Sequence, residues 1–394
     1  MSAAVPASAR YLAASVPTRL ATAGSAVALP VLAVQQVGDI AVGGLLVAAG
    51  LAPAVIVAPF VGVLLDRSPR PGRLIAAAAL LSSLALVAAA FLGALPTAVV
   101  VVALAAAGAL TPFTMGGLSS IVADTIPDER RAYAHDALSY NIAGVAGPGV
   151  VAALLTVVPA QPALFLLAAI TLAGGAAAAT LAVAPKASSD TQDGVLRRIA
   201  AGVRYLVAHR PLAVVTASAT LSQVGAGALP IAAVGLALAR TGSSESGAWI
   251  VTAFAIGALI GSLASAVFAR LAVPPHQVML AGYLVTGLAT LPVVPDWGIG
   301  VSLATVVVSG FGSAPATAAM LLLRKQHSPA SVRSQVFTVG AGLRSTAAAA
   351  GVGIAGVIAV APETLFLMIG ACWVASALTL LGFPRNVARF DTVD

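Results

Sequence analysis

Residues 74–123 read LIAAAALLSSLALVAAAFLGALPTAVVVVALAAAGALTPFTMGGLSSIVA and carry no charged side chain. A bilayer's hydrocarbon core is crossed by about 20 apolar helical residues, so this stretch holds two crossings and a turn at Leu95-Pro96-Thr97. Residues 137–185 repeat the pattern, with Pro159-Ala160-Gln161-Pro162 as the break. The runs are continuous rather than alternating with period two, which excludes barrel strands.

The whole chain agrees. Of 394 residues, 60% are apolar and 8% charged, and mean hydropathy is +1.03. Soluble domains carry about 25% charged residues. So few charges cannot cover a soluble fold of this size, which excludes soluble enzymes, nucleic-acid-binding domains and disordered chains. The net charge of +7 comes without a basic stripe interleaved with aromatics, so it reads as loop charge and nucleic acid is not an expected partner. The lone Cys372 and the dispersed His135, His209, His276 and His327 have no metal-ligand spacing. No metal or cofactor is expected, and no nucleophile–base pair suggests an enzyme.

Charges punctuate twelve spans: about 13–37, 41–65, 73–94, 97–121, 133–158, 162–184, 211–239, 247–270, 276–294, 298–323, 332–359 and 363–383. The apolar segment after Arg10 is too long for a cleaved leader, carries no convincing small-residue cleavage site, and is read as the first span. With the N-terminus inside, Lys and Arg concentrate on the cytoplasmic side; Arg240 alone lies outside, and Arg19 and Arg344 lie within helices. Both termini are expected in the cytoplasm and the protein in the cell membrane, as a monomer. Arg324, Lys325 and Arg333 are counted among the cytoplasmic charges.

Residues 185–210 begin polar and become amphipathic, with Leu196, Ile199, Val203, Leu206 and Val207 on one face and Arg197, Arg198 and Arg204 on the other. The expected organisation is a six-helix bundle over 1–184, a linker with a surface helix over 185–210, and a second bundle over 211–394. The halves echo each other. Ala28-Leu29-Pro30-Val31 matches Ala228-Leu229-Pro230-Ile231 at offset 200; Pro127, Arg131 and Gly149 match Pro329, Arg333 and Gly351 at 202; Arg67 matches Arg270 at 203. Like halves of this kind are typical of secondary transporters.

The second loop, Gly62-Val63-Leu64-Leu65-Asp66-Arg67-Ser68-Pro69-Arg70-Pro71-Gly72-Arg73, resembles the signature loop of the major facilitator superfamily. Gly62, Leu64, Asp66, Arg67 and Arg70 match; Pro69 replaces the usual Gly and Pro71 breaks the basic pair. Gly144-Val145-Ala146-Gly147-Pro148-Gly149 resembles the Gly-Pro element of antiporters in that superfamily, with the first Gly displaced by one; close helix packing explains it equally. The arginine that drug:proton antiporters carry in the fourth helix is missing from Val99–Ser120.

The resemblance implies an all-α membrane protein of twelve helices in two pseudo-symmetric bundles, working by alternating access on a small-molecule substrate. It implies a latch of Asp66, Arg67, Arg70, Arg73, Asp124 and Arg333. Intramembrane charge is costly and marks function by default. Asp136 near Arg19 is the leading proton-coupling group, since an acid can exchange an ion pair for a proton; Asp39 is a lesser candidate that can equally end a helix. Substrate contacts are expected from Arg19, Gln35, Gln36, Phe113, Thr114, Tyr140, Asn141, Gln223, Phe311, Phe337 and Arg344. Met115, Phe254 and Met320 add apolar lining suited to an amphiphilic solute.

Three readings follow: a proton-coupled exporter of amphiphilic molecules or drugs; a facilitator or symporter of an anionic metabolite held by Arg19 and Arg344; and a lipid-moving or non-transporting protein of the same fold.

Overall fold

The computed structural model describes residues 6–181, 195–268, 273–329, 333–358 and 360–384. They form helices α1 (Ala7–Val37), α2 (Ile40–Arg67), α3 (Pro71–Ala90), α4 (Thr97–Pro112), α5 (Leu118–Ser120), α6 (Val122–Thr125), α7 (Glu129–Leu155) and α8 (Ala160–Ala179). There follow α9 (Val195–Ala208), α10 (Arg210–Thr241), α11 (Ser246–Phe268), α12 (Pro275–Leu288), α13 (Ile299–Gln326), α14 (Arg333–Val357) and α15 (Pro362–Thr379).

Ten helices among the described residues are long and apolar enough to cross a membrane. The 14-residue α12 and the helix α14 occupy the other two of the twelve expected spans.

The chain divides into two compact units, Met1–Asp190 with Ser244–Trp249, and Thr191–Ser243 with Ile250–Asp394. Local sequence sets the element ends. Asp39 caps α2 by accepting from the Ala41 N–H at 2.7 Å, and Asp128 caps α7 by accepting from the Arg131 N–H at 3.1 Å. Asp39 is therefore a helix-capping acid. Gly38 and Gly242 close α1 and α10 in the same left-handed conformation, each with φ +70°.

Packing within each unit uses the same device. In the first, a Cβ on Gly147 of α7 would lie 2.7 Å from the Leu20 carbonyl oxygen and 2.9 Å from the Gly24 nitrogen of α1. In the second, a Cβ on Gly351 of α14 would lie 2.0 Å from the carbonyl oxygen of Val224 in α10, 200 positions after Gly24. Without a hydrophobic drive between helices in lipid, such backbone approach supplies the packing energy. Gly147 of the Gly-Pro element has this packing role.

The fourth span is not one regular helix. Pro112 lacks an N–H, and Phe113–Gly117 form a π turn before α5. The surface helix α9 buries Leu206 against Leu212 and Val336, and leaves Val203 and Val207 exposed. The side chains of Leu196, Ile199, Arg197 and Arg198, and residues 185–194, lie outside the described residues.

Candidate functional site

The first unit builds a charged cluster from α1, the π turn and α7. Arg19 lies on α1 and is 1% exposed. A buried guanidinium is tolerable only when paired and hydrogen-bonded, and Asp136 of α7 pairs with its Nη2 at 2.8 Å. Both terminal nitrogens make further contacts. Nη2 reaches the Ser119 hydroxyl at 2.9 Å and the Met115 carbonyl at 3.2 Å; Nη1 donates to the Ser139 hydroxyl and, at 3.2 Å, to the Asp136 carbonyl. The π turn places the Met115 carbonyl where Arg19 reaches it. The Tyr140 ring lies 3.6 Å under the guanidinium carbon.

Asp136 in turn accepts from the Tyr11 hydroxyl at 2.5 Å and the Ser119 hydroxyl at 3.0 Å. One carboxylate thus holds a cation and two hydroxyls, with its side chain 14% exposed. The expected proximity of Arg19 and Asp136 is present. Tyr11, Ser119 and Ser139 escaped sequence reading, because common Ser and Tyr residues carry no signal of their own.

The terminal nitrogens of Arg19, expected as an anion-binding residue, are committed to Asp136 and its neighbours. Other substrate candidates are also placed. Gln35 accepts from the Ala160 N–H at 2.8 Å and donates to Glu245 at 2.5 Å, so it ties elements together near the end of α1. Gln36 and Asn141 are exposed. Phe113, Met320 and Thr114 are buried, and Phe254 stacks on Trp373 at 5.8 Å. Thr114 borders a cavity of about 80 Å³ with Thr18, Thr22 and Thr111. Those four hydroxyls bond carbonyls of their own helices, so the cavity presents few free polar groups. Gln223, Phe311, Phe337 and Arg344 are partly exposed.

Of the latch candidates, the side chains of Asp66, Arg67 and Arg333 lie outside the described residues. Arg70 and Arg73 are exposed and border a cavity of about 260 Å³ with Ala179 and Leu181. Asp124 is exposed on α6. Gly72 in this loop has a packing reason: its Cβ would lie 2.3 Å from the Ala178 carbonyl oxygen near the end of α8.

The second unit holds three notable arginines. Arg240 donates to the carbonyls of Val293 at 2.6 Å and Val294 at 3.1 Å, and to the Ser302 hydroxyl at 2.9 Å. Asp296 and Glu363 lie 3.5 Å and 3.9 Å from its Nε. Arg240 is therefore a buried clamp. Arg324, counted in the sequence among the cytoplasmic charges, is 2% exposed on the last turn of α13. Arg344 lies on α14 with its Nε buried.

A family model described as Major Facilitator Superfamily matches residues 11–232. The uncharacterized MFS-type transporter y4rN of Sinorhizobium fredii (strain NBRC 101917 / NGR234) is 26% identical over 381 residues, covering 94% of this chain and 93% of that protein. The nucleoside transporter NupG, as a mutant crystal structure, aligns with a TM-score of 0.80 at 13% identity, over 96% of this chain and 100% of that one. A peptide transporter POT mutant in complex with alafosfalin gives 0.72 at 16% identity, over 95% and 93% of the two chains. At these identities the solved structures speak for the fold alone. Helix content, paired units and a family match over more than half of the sequence agree: the chain belongs to the major facilitator superfamily of secondary transporters.

Proposed function

We propose that this chain is a proton-coupled secondary transporter that works by alternating access, with Asp136 as its proton-binding group. It would sit in the cell membrane as a monomer, with both termini cytoplasmic, and exchange protons for a small amphiphilic solute. The observation that carries this reading is the Asp136 carboxylate, held at once by Arg19, Tyr11 and Ser119. A carboxylate whose charged form depends on a neighbouring cation changes its proton affinity when that contact is lost. Helix rearrangement separating α1 from α7 would thereby release or take up a proton. The latch of Asp66, Arg67, Arg70, Arg73, Asp124 and Arg333 belongs to the same proposal, as the group that holds one side shut.

The test is proton release from purified, unbuffered protein on adding lipophilic cations, neutral amphiphiles and organic anions. Release that disappears in Asp136→Asn supports the reading. Release that survives in Asp136→Asn, or no release with any compound, overturns it.

A second reading, facilitated passage or symport of an anionic solute, is favoured by one observation. Arg344 sits in the second unit, where the described acids Asp296 and Glu363 both lie against Arg240.

A further inference from the structure

The second unit contains a cationic pair that makes no ion pair with an acid among the described residues. The Arg324 side chain is 2% exposed, and its Nε and Nη2 are buried without a hydrogen-bond partner among the described residues. The guanidinium lies flat against Gly340 of α14. A Cβ there would stand 2.6 Å from Arg324 Cζ and 2.7 Å from both Nη atoms. Arg344 follows Gly340 by four residues, one turn along the same helical face. Its Nε is likewise buried and unpartnered, while the residue as a whole is partly exposed. Tyr283 of α12, 3% exposed, is within electrostatic reach of both guanidiniums, and its hydroxyl accepts from Ser222 at 3.2 Å.

The first unit shows what is different here. There the buried Arg19 has the Asp136 carboxylate. The offsets relating α7 to α14 run from 202 (Gly149 to Gly351) to 204 (Gly147 to Gly351), and carry Asp136 onto Thr338–Gly340, a turn without an acid. Neighbouring like charges repel, and buried guanidinium donors without acceptors carry a desolvation cost. An external anion would supply the acceptors that these donors lack. Arg donors in a planar fork match carboxylate and phosphate oxygens, and a phenol hydroxyl adds a neutral donor.

We propose that Arg324, Arg344 and the Tyr283 hydroxyl form an oxyanion-binding site within the second unit, which takes a carboxylate or phosphoryl group of the transported solute. The inference rests on the second reading above and gives it a different residue pair from the one the sequence suggested. Arg324 stands in place of Arg19. Gly340 is required because any side chain there would displace the Arg324 guanidinium. Arg344, the more accessible of the two, admits the anion.

The experiment is thermal unfolding of the full chain in a neutral detergent, titrated with sodium succinate or sodium phosphate against sodium chloride at matched ionic strength. One or both oxyanions should raise the midpoint saturably, and Arg344→Gln should weaken the apparent affinity by roughly tenfold or more, as expected for losing a charge-assisted contact. Gly340→Ala and Tyr283→Phe should weaken it as well, Arg344→Lys less, and the exposed-site control Arg204→Gln not at all. A midpoint that follows ionic strength alone, or an affinity unchanged in both Arg344→Gln and Gly340→Ala, overturns the site.

A parallel arm in nanodiscs compares phosphatidylglycerol with phosphatidylcholine. Stabilisation by phosphatidylglycerol alone, dependent on Arg344, would make a lipid headgroup the oxyanion source and overturn the assignment to a solute. Uptake of labelled succinate and phosphate into vesicles separates the two failures. Uptake without Arg344-dependent binding sinks the site and spares the anion-transport reading; binding without uptake does the reverse.

Discussion

Arg19 and Asp136 stand 117 positions apart in the chain and meet at 2.8 Å between α1 and α7, with Tyr11 closing on the same carboxylate at 2.5 Å. The pair is buried on the arginine side and slightly open on the aspartate side, at 1% and 14% exposure. Under the proposed function, that asymmetry leaves the carboxylate as the solvent-facing member of the pair.

Removing one partner of a buried pair leaves an uncompensated charge. Arg19→Gln should therefore cost about 3 kcal/mol, the low end for such a break because Asp136 is partly open. Arg19→Gln/Asp136→Asn should recover part of that loss. Thermal unfolding of the single and double variants in detergent gives the coupling; strict additivity of the two losses would show that the pair is not interacting.

Gly72→Ala should destabilise the first unit by about 1–3 kcal/mol, as overpacking does. The added methyl would meet the Ala178 carbonyl oxygen at 2.3 Å, and backbone yields less than a side chain. A melting temperature equal to that of the parent protein would count against the close α3–α8 approach.

Arg240 pins the Val293 and Val294 carbonyls and the Ser302 hydroxyl. Arg240→Gln should lower stability by about 2–3 kcal/mol through lost charge-assisted hydrogen bonds. It should leave oxyanion stabilisation unaltered, since Arg324 and Arg344 are untouched. Both quantities come from one set of melts with and without succinate or phosphate.

His209 lies between α9 and α10, its ring 6.2 Å from that of His327. Burial and then His327 lower its pKa below the ordinary histidine value. The folded protein thus prefers the neutral ring. This contribution is complete above about pH 6.5, the ordinary histidine value, and is lost as pH falls from there towards the lowered folded value. Melting temperatures from pH 7.5 to 5 should fall less steeply in His209→Gln than in the parent protein.

Membrane residence and ten of the twelve expected spans were legible in the chain alone, because lipid tolerates so few charges that each one marks a boundary. The loop Gly62–Arg73 and the echo of Pro30 in Pro230 were legible too, being short patterns contiguous in sequence. Arg19 and Asp136 stood out as charges inside apolar runs, and their proximity could be expected from that alone.

Other features depended on tertiary structure. Arg324 looks like one more basic residue at the end of a span; only packing against Gly340 separates it from Lys325 beside it, which is exposed. The π turn at Phe113–Gly117 and the convergence of Tyr11, Ser119 and Ser139 on one ion pair leave no periodic trace. Sequence fixes where charge is scarce, because the cost of charge in lipid is paid residue by residue. Which charges are partnered is decided by contacts between helices more than a hundred residues apart, and only the folded units bring those contacts together.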